Sequence, residues 1–245
     1  RSLYLNIRRF IIFQMTINLC ACLIVLFGAF IGYDSPLTVT QMLWVNLIMD
    51  TFAAMALSSL PPDRCVLNER PRDPKSHIID RKMLWRIVLM GLTFFAILAI
   101  LWQYMHYVDI ASVSDMISLE CVNEFFTGDR GVSTMTGVEM GIYFSIFVLM
   151  QFWNLFNVKY FRTNRSLILD VVDLFRAPHM VKESYNNMYL AILAVILGGQ
   201  IAIVTFAGQF FSVAPLAFAD WLWICLITMP VLLIPDVCRF IKRVK

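Results

Sequence analysis

QMLWVNLIMDTFAAMAL, residues 41–57, is apolar enough and long enough to cross a bilayer, yet it carries Asn46 and Asp50 near its middle. Four residues separate the two, so on an α-helix both oxygen-bearing side chains face the same way. A carboxylate at bilayer depth costs roughly 2.5–3.5 kcal/mol even on the lenient insertion scale, so such a residue has a partner or a task. The partner expected here is a metal cation.

The rest of the composition agrees with a membrane setting. Of 245 residues, 60% are hydrophobic and only 15% charged, against roughly 45–50% and 25% in an ordinary soluble domain. Apolar runs of about 20 residues mark spanning helices. Six occur, near 10–31, 37–60, 87–107, 140–158, 188–208 and 220–238. The expected fold is an all-α, six-helix transmembrane bundle, read as one membrane domain over residues 1–245. No internal repeat or low-complexity segment interrupts it.

Orientation follows from the basic residues. With six spans, 19 of the 20 Lys and Arg fall on one side and Arg130 alone on the other. Both termini are therefore expected to be cytoplasmic. The opposite face carries Asp34, Asp109, Asp115, Glu120, Glu124, Asp129, Glu139 and Asp220. Such a set can be an acidic mouth for a leaving cation, but loops from which Lys and Arg are excluded produce the same pattern, and that simpler reading is preferred. Pro61-Pro62 is expected to end the second span, and Pro230 and Pro235 to kink the sixth. Gly198-Gly199 can admit a neighbouring helix.

Hard cations take six to eight oxygens from carboxylates, amides and carbonyls. Within the spans such groups are few: Gln14, Thr16 and Asn18 in the first, Asn46 and Asp50 in the second, Gln151, Asn154 and Asn157 in the fourth, and Gln200 in the fifth. Asp236, near the end of the sixth, has Arg239 one turn away and is expected to pair with it. Asp50 is thus the one acid at mid-membrane depth. One carboxylate with amides cannot hold a divalent ion alone, so a further carboxylate is expected from outside these residues. Asn46 and Asp50 are the first candidate metal ligands, with Asn18 and Gln151 as further ones. Amides also bond helices to one another in membranes, so Asn18 and Gln151 stay open between the two roles. The six cysteines lack CxxC spacing and read as small apolar packing residues. The three histidines sit at loops or span ends, and no phosphate-binding GxxxxGK[ST] loop is present.

QMLWVNLIMDTFAAMALSSLPP (41–62) closely resembles the sixth transmembrane helix of P-type calcium ATPases, in particular the plasma-membrane type. RSLYLNIRRFIIFQMTINLCA (1–21) looks like their stalk and fifth helix. RPRDPKSHIIDRKMLWR (70–86) resembles the loop after the sixth helix, and FVLMQFWNLFN (147–157) the eighth helix. FSVAPLAFADWLWICL (211–226) and MPVLLIPDVCRFIKR (229–243) resemble the tenth. The resemblance covers essentially the whole chain and implies helices five to ten of such a pump. It matches Asn46 and Asp50 to calcium ligands of the sixth helix and Asn18 to an Asn of the fifth. Where sarcoplasmic-reticulum pumps carry further oxygen ligands, this chain has Ala21, Met49 and Gln151. Those departures imply one Ca²⁺ per cycle.

The DKTGT segment, the nucleotide-binding and actuator domains, and the helix with a PEGL-type glutamate do not occur in these residues. The resemblance therefore implies a translocase only for a longer protein, with ATP and Mg²⁺ used in its cytoplasmic domains. These 245 residues are expected to supply part of one intramembrane Ca²⁺ site, to have no catalytic residue of their own, and to be cut from something longer. Expected partners are the earlier helices and cytoplasmic domains of the same pump and the lipid bilayer, with no nucleic acid. The expected location is a multi-pass protein of the plasma membrane or a bacterial inner membrane. The competing readings are half of a secondary cation transporter or channel, against which the lack of repeats and of paired broken spans argues, and a non-catalytic membrane scaffold.

Overall fold

A computed structural model describes residues 2–32, 35–61, 78–108, 110–127, 135–163, 166–176 and 187–244. Pro62, the basic run over 64–75, Cys65, His77, Asp34, Asp109, Asp129, Arg130, His179 and Lys182 lie outside them. The helices are α1 (Ser2–Ile31), α2 (Val39–Ser58), α3 (Arg81–Tyr107), α4 (Leu119–Thr127), α5 (Gly137–Lys159), α6 (Leu167–Arg176), α7 (Asn187–Phe206), α8 (Gly208–Phe211), α9 (Phe218–Thr228) and α10 (Pro230–Val244). Six segments are long and apolar enough to cross a membrane, namely α1, α2, α3, α5, α7 and the α9–α10 pair through Arg239. The protein is a multi-pass helical membrane bundle, and among the described residues there is no strand.

Helix α5 is the axis of the bundle, its side chains enclosed on nearly every side. Helices α1, α3, α7, α9 and α10 pack around it, and α2 is held between α1 and α7. Helices α1 and α3 approach closely at Gly91, where a Cβ would lie 2.7 Å from the Leu19 side chain. Gly199 similarly faces Trp44 at 3.5 Å, whereas Gly198 has open space beside it.

Three spans begin at one end of the bundle, and each starts on a side chain that turns back to cap its own helix. Gln41 accepts from Thr38 N (3.0 Å), Glu139 from Thr136 N (2.7 Å) and Asp220 from Ala217 N (3.1 Å). The same three side chains also reach a second segment. Gln41 Nε2 donates to Phe211 O (2.8 Å), while Glu139 accepts from Ile110 N (3.1 Å) and Asp220 from Val113 N (2.9 Å). Glu139 and Asp220 are buried, so these two acids pin the connection after α3 rather than face a leaving ion. The acidic-mouth reading loses them.

At the other end, cations converge on the carbonyl terminus of α5, where the helix dipole is negative. Arg239 Nη2 donates to Asn157 O (2.9 Å), Arg86 Nη2 to the same oxygen (3.5 Å) and Arg9 Nη2 to Phe161 O (3.5 Å). Because these arginines come from the start of α1, the start of α3 and the end of α10, both ends of the described chain lie at this one end. Arg8 and Arg162 add ion pairs to Asp80. Asp236 does pair with Arg239 (3.3 Å), and it also accepts from Leu167 N and Ile168 N (2.9 Å each), which caps the first turn of α6. That cap spans about seventy residues of sequence and has no local signal.

The sixth span breaks at Met229, and α10 restarts with Pro230 at its first position, where the missing N–H is not needed. Pro235 lies inside α10 and gives Val231 O no i+4 donor. Asn157 Nδ2 on α5 supplies that donor at 2.8 Å. The polar residue and the proline are therefore one device. Replacing Asn157 with Leu is expected to lower stability by about 1–3 kcal/mol, because a buried carbonyl is left unpaired. Adding Pro235→Ala should recover most of that loss by restoring the helical N–H. Thermal unfolding of the purified single and double variants in detergent checks both; an additive double mutant refutes the pairing.

Candidate cation site

Asp50 sits where α2 changes its winding. Residues Trp44–Met49 form a π turn, after which Asp50 N–H donates to Val45 O, five residues back. Ordinary α-helix resumes from Asp50 to Ser58. The wider turn rotates Asn46 relative to Asp50, away from the α-helical register that the spacing implies. Asp50 is only 4% exposed, whereas Asn46 stands on an exposed strip with Leu43 and Leu47. The two expected ligands thus occupy one helix but differ in setting, one enclosed and one open. The sequence has no marker for the π turn; neither glycine nor proline falls within Trp44–Met49.

Among the described residues, neither Asp50 carboxylate oxygen has a hydrogen-bond partner. Gln14, half-buried on α1, is the side chain that interacts with the carboxylate, without completing a hydrogen bond. Asn18, also half-buried, follows Gln14 by one turn on α1, which packs against the second half of α2. Sequence reasoning noted Gln14 among the polar residues but did not count it as a candidate ligand. Its spacing of four from Asn18 was the available signal.

Gln151 and Asn154 lie on α5, which also packs against α1. Gln151 is 0% exposed and both its amide atoms lack a protein partner among the described residues, as does Asn154 Nδ2. Asn157, by contrast, is committed to Val231 and Arg239, so it belongs to the scaffold. Ala21 and Met49 are packed as core at 2% and 1% exposure. Among the described residues, no salt bridge reaches Asp50 and no group of three His, Cys, Asp or Glu gathers. The arrangement is a single buried carboxylate with amide oxygens on neighbouring helices. Its groups are oxygen-bearing, and one carboxylate is too little charge to balance a divalent cation by itself.

The family described as "Cation transporting ATPase, C-terminus" matches residues 34–241. The chain is 33% identical over 232 residues to plasma membrane calcium-transporting ATPase 4 of Homo sapiens, a match covering 91% of this chain and 16% of that protein. It is 32% identical over 228 residues to plasma membrane calcium-transporting ATPase 3 of Rattus norvegicus, covering 91% and 16%. With plasma membrane calcium-transporting ATPase 1 of Oryctolagus cuniculus it shares 31% over 237 residues, covering 95% and 17%. The chain therefore spans about a sixth of the length of these relatives.

An apolar replacement tests whether Asp50 lacks a protein counter-charge. In the absence of divalent cations, Asp50→Leu is expected to raise stability by about 1–3 kcal/mol, since a buried, unsatisfied polar group is removed. A lower thermal midpoint for that variant would mean that the carboxylate is paired within the protein.

Proposed function

This chain belongs to the family of cation-transporting ATPase C-terminal regions, and on that premise we propose that it is the membrane part of an ATP-driven calcium pump, in which Asp50 is the charged ligand of one intramembrane Ca²⁺ site. The observation that carries this reading is the buried Asp50 carboxylate with both oxygens unpartnered among the described residues. A protein keeps such a group in hydrocarbon when something outside the chain completes it. A transported cation is that something, and the relatives' names support calcium.

In this reading Asn18 and Gln151 add amide oxygens from α1 and α5, and Asn46 turns its amide toward a flank closed by a helix outside these residues. That helix brings the second carboxylate. Core packing at Ala21 and Met49, with an uncharged Gln151, supports a single ion per cycle. ATP and Mg²⁺ act in the cytoplasmic domains of the longer protein, and both ends of this chain face the cytoplasm. Movement of those domains reaches the site through α1, whose base is tied by Arg8 and Arg9 to Asp80 and to the α5 terminus. The family match supports the pump reading over the secondary-transporter one.

In the full-length pump, Asp50→Asn is expected to abolish calcium-dependent phosphorylation. Asn46→Ala should weaken apparent calcium affinity about tenfold, equivalent to roughly 1.4 kcal/mol, with the protein still folded. Phosphoenzyme assays across a calcium titration read both. Full calcium-dependent phosphorylation in Asp50→Asn would defeat the reading.

A further inference from the structure

Gln14 on α1 is a polar side chain that the ligand set proposed above does not use, yet it interacts with the Asp50 carboxylate. It is half-buried and stands between Phe13 and Ile17, both 0% exposed. A primary amide in an apolar span is costly unless its N–H and C=O groups find partners, so its retention calls for a reason.

Helix register brings Gln14 to Asp50 independently of that interaction. Helices α1 and α2 are consecutive, antiparallel spans, and Asn6 Nδ2 on α1 donates to Leu60 O just past the end of α2 (3.5 Å). From that bond, Gln14 lies eight residues along α1 and Asn18 twelve, about 12 and 18 Å of rise. Asp50 lies ten residues back along α2, about 15 Å. Its level therefore falls between the two amides, with Gln14 toward the arginine end and Asn18 toward the opposite end. Helix α1 packs against this half of α2, where Ala53 and Leu57 follow Asp50 at helical spacing and are also enclosed.

The other polar side chains near this level on the two helices are already used. Thr16 Oγ1 donates to Ile12 O (2.7 Å) and Thr51 Oγ1 to Leu47 O, each within its own helix. Asn6, two turns nearer the arginines, is held by Leu60 O and Arg9. An ionised carboxylate only accepts hydrogen bonds, so a primary amide beside it turns its N–H groups toward it. A bond of that kind fixes the rotation of the carboxylate, and outer groups acting in this way orient the groups that hold a metal.

We propose that Gln14 is the positioning residue of the cation site: its Nε2–H holds one Asp50 oxygen from the side of the arginine end and leaves the other aimed at the level of Asn18. This rests on the pump reading, and it gives α1 a direct hold on the charged ligand. Gln14 belongs to the same continuous helix as Arg8 and Arg9, whose bonds to Asp80 and Phe161 O tie the base of α1. A shift of α1 along its axis carries Gln14 past Asp50 and turns the carboxylate. The ion then loses an aligned oxygen while every ligand stays on its own helix.

Two measurements on the full-length pump test this, both with Gln14→Met, which keeps the length and bulk of the side chain and removes the donor. The calcium concentration for half-maximal phosphorylation is expected to rise about tenfold, with the phosphoenzyme level at saturating calcium unchanged. In calcium-free detergent solution, Gln14→Met is expected to lower the thermal midpoint where Asp50 is present and to leave it unchanged in an Asp50→Leu background. An affinity within twofold of wild type, or midpoint shifts that add in the double variant, overturns the positioning role. A wild-type pump without calcium-dependent phosphorylation would instead refute the calcium reading, and the thermal comparison, which needs no calcium, would still judge the Gln14–Asp50 contact.

Discussion

A carboxylate enclosed by helices in an apolar span is the constraint around which this bundle is built. Asp50 cannot be left uncompensated, because bilayer-depth charge is unfavourable by several kcal/mol, and no cation of the protein reaches it among the described residues. Among the described residues, the polar side chains argued to surround it, Gln14, Asn18 and Gln151, are uncharged. A site of this kind is suited to binding and releasing a mobile cation, since a fixed Lys or Arg partner would compete with the ion throughout the cycle. The π turn just before Asp50 places a locally altered helix next to the proposed ligand, and such turns concentrate at functional positions.

Around that soft centre the scaffold is tied down at both ends. At one end, the third residue of each of three helices caps its own first turn and holds a second segment. At the other, three arginines from three helices hold the carbonyl terminus of α5. These bonds use charge or strong polarity near the membrane boundaries, where desolvation is less costly than at mid-depth. Polar groups in mid-span then separate into two kinds. Asn157 and Thr228 are spent on backbone or indole partners beside the broken sixth span, whereas Asp50, Gln151, Gln200 and Ser145 are not.

That division separates structure from function among chemically similar residues. Asn157 and Gln151 are both amides on α5, six residues apart, and nothing in their identity tells them apart. Pro235 in a distant helix makes Asn157 a structural donor, while Gln151 has no such carbonyl to serve. Asp236 and Asp50 contrast in the same way, one capping α6 and pairing with Arg239, the other with neither carboxylate oxygen hydrogen-bonded among the described residues.

The sequence alone determined the membrane class, the six spanning helices and Asp50 as the acid at depth, because hydrophobic length and the rarity of charge in apolar runs are local properties of the chain. It also marked Asn46, Asn18 and Gln151 as oxygen carriers. Only the tertiary structure decided that Asn46 lies open while Asp50 is enclosed, and that Glu139 and Asp220 are helix caps. Those outcomes depend on a change of helical winding and on contacts between residues up to about a hundred positions apart. Helix register and packing partners arise from the assembled bundle, and single-chain periodicity does not encode which polar group meets which neighbour.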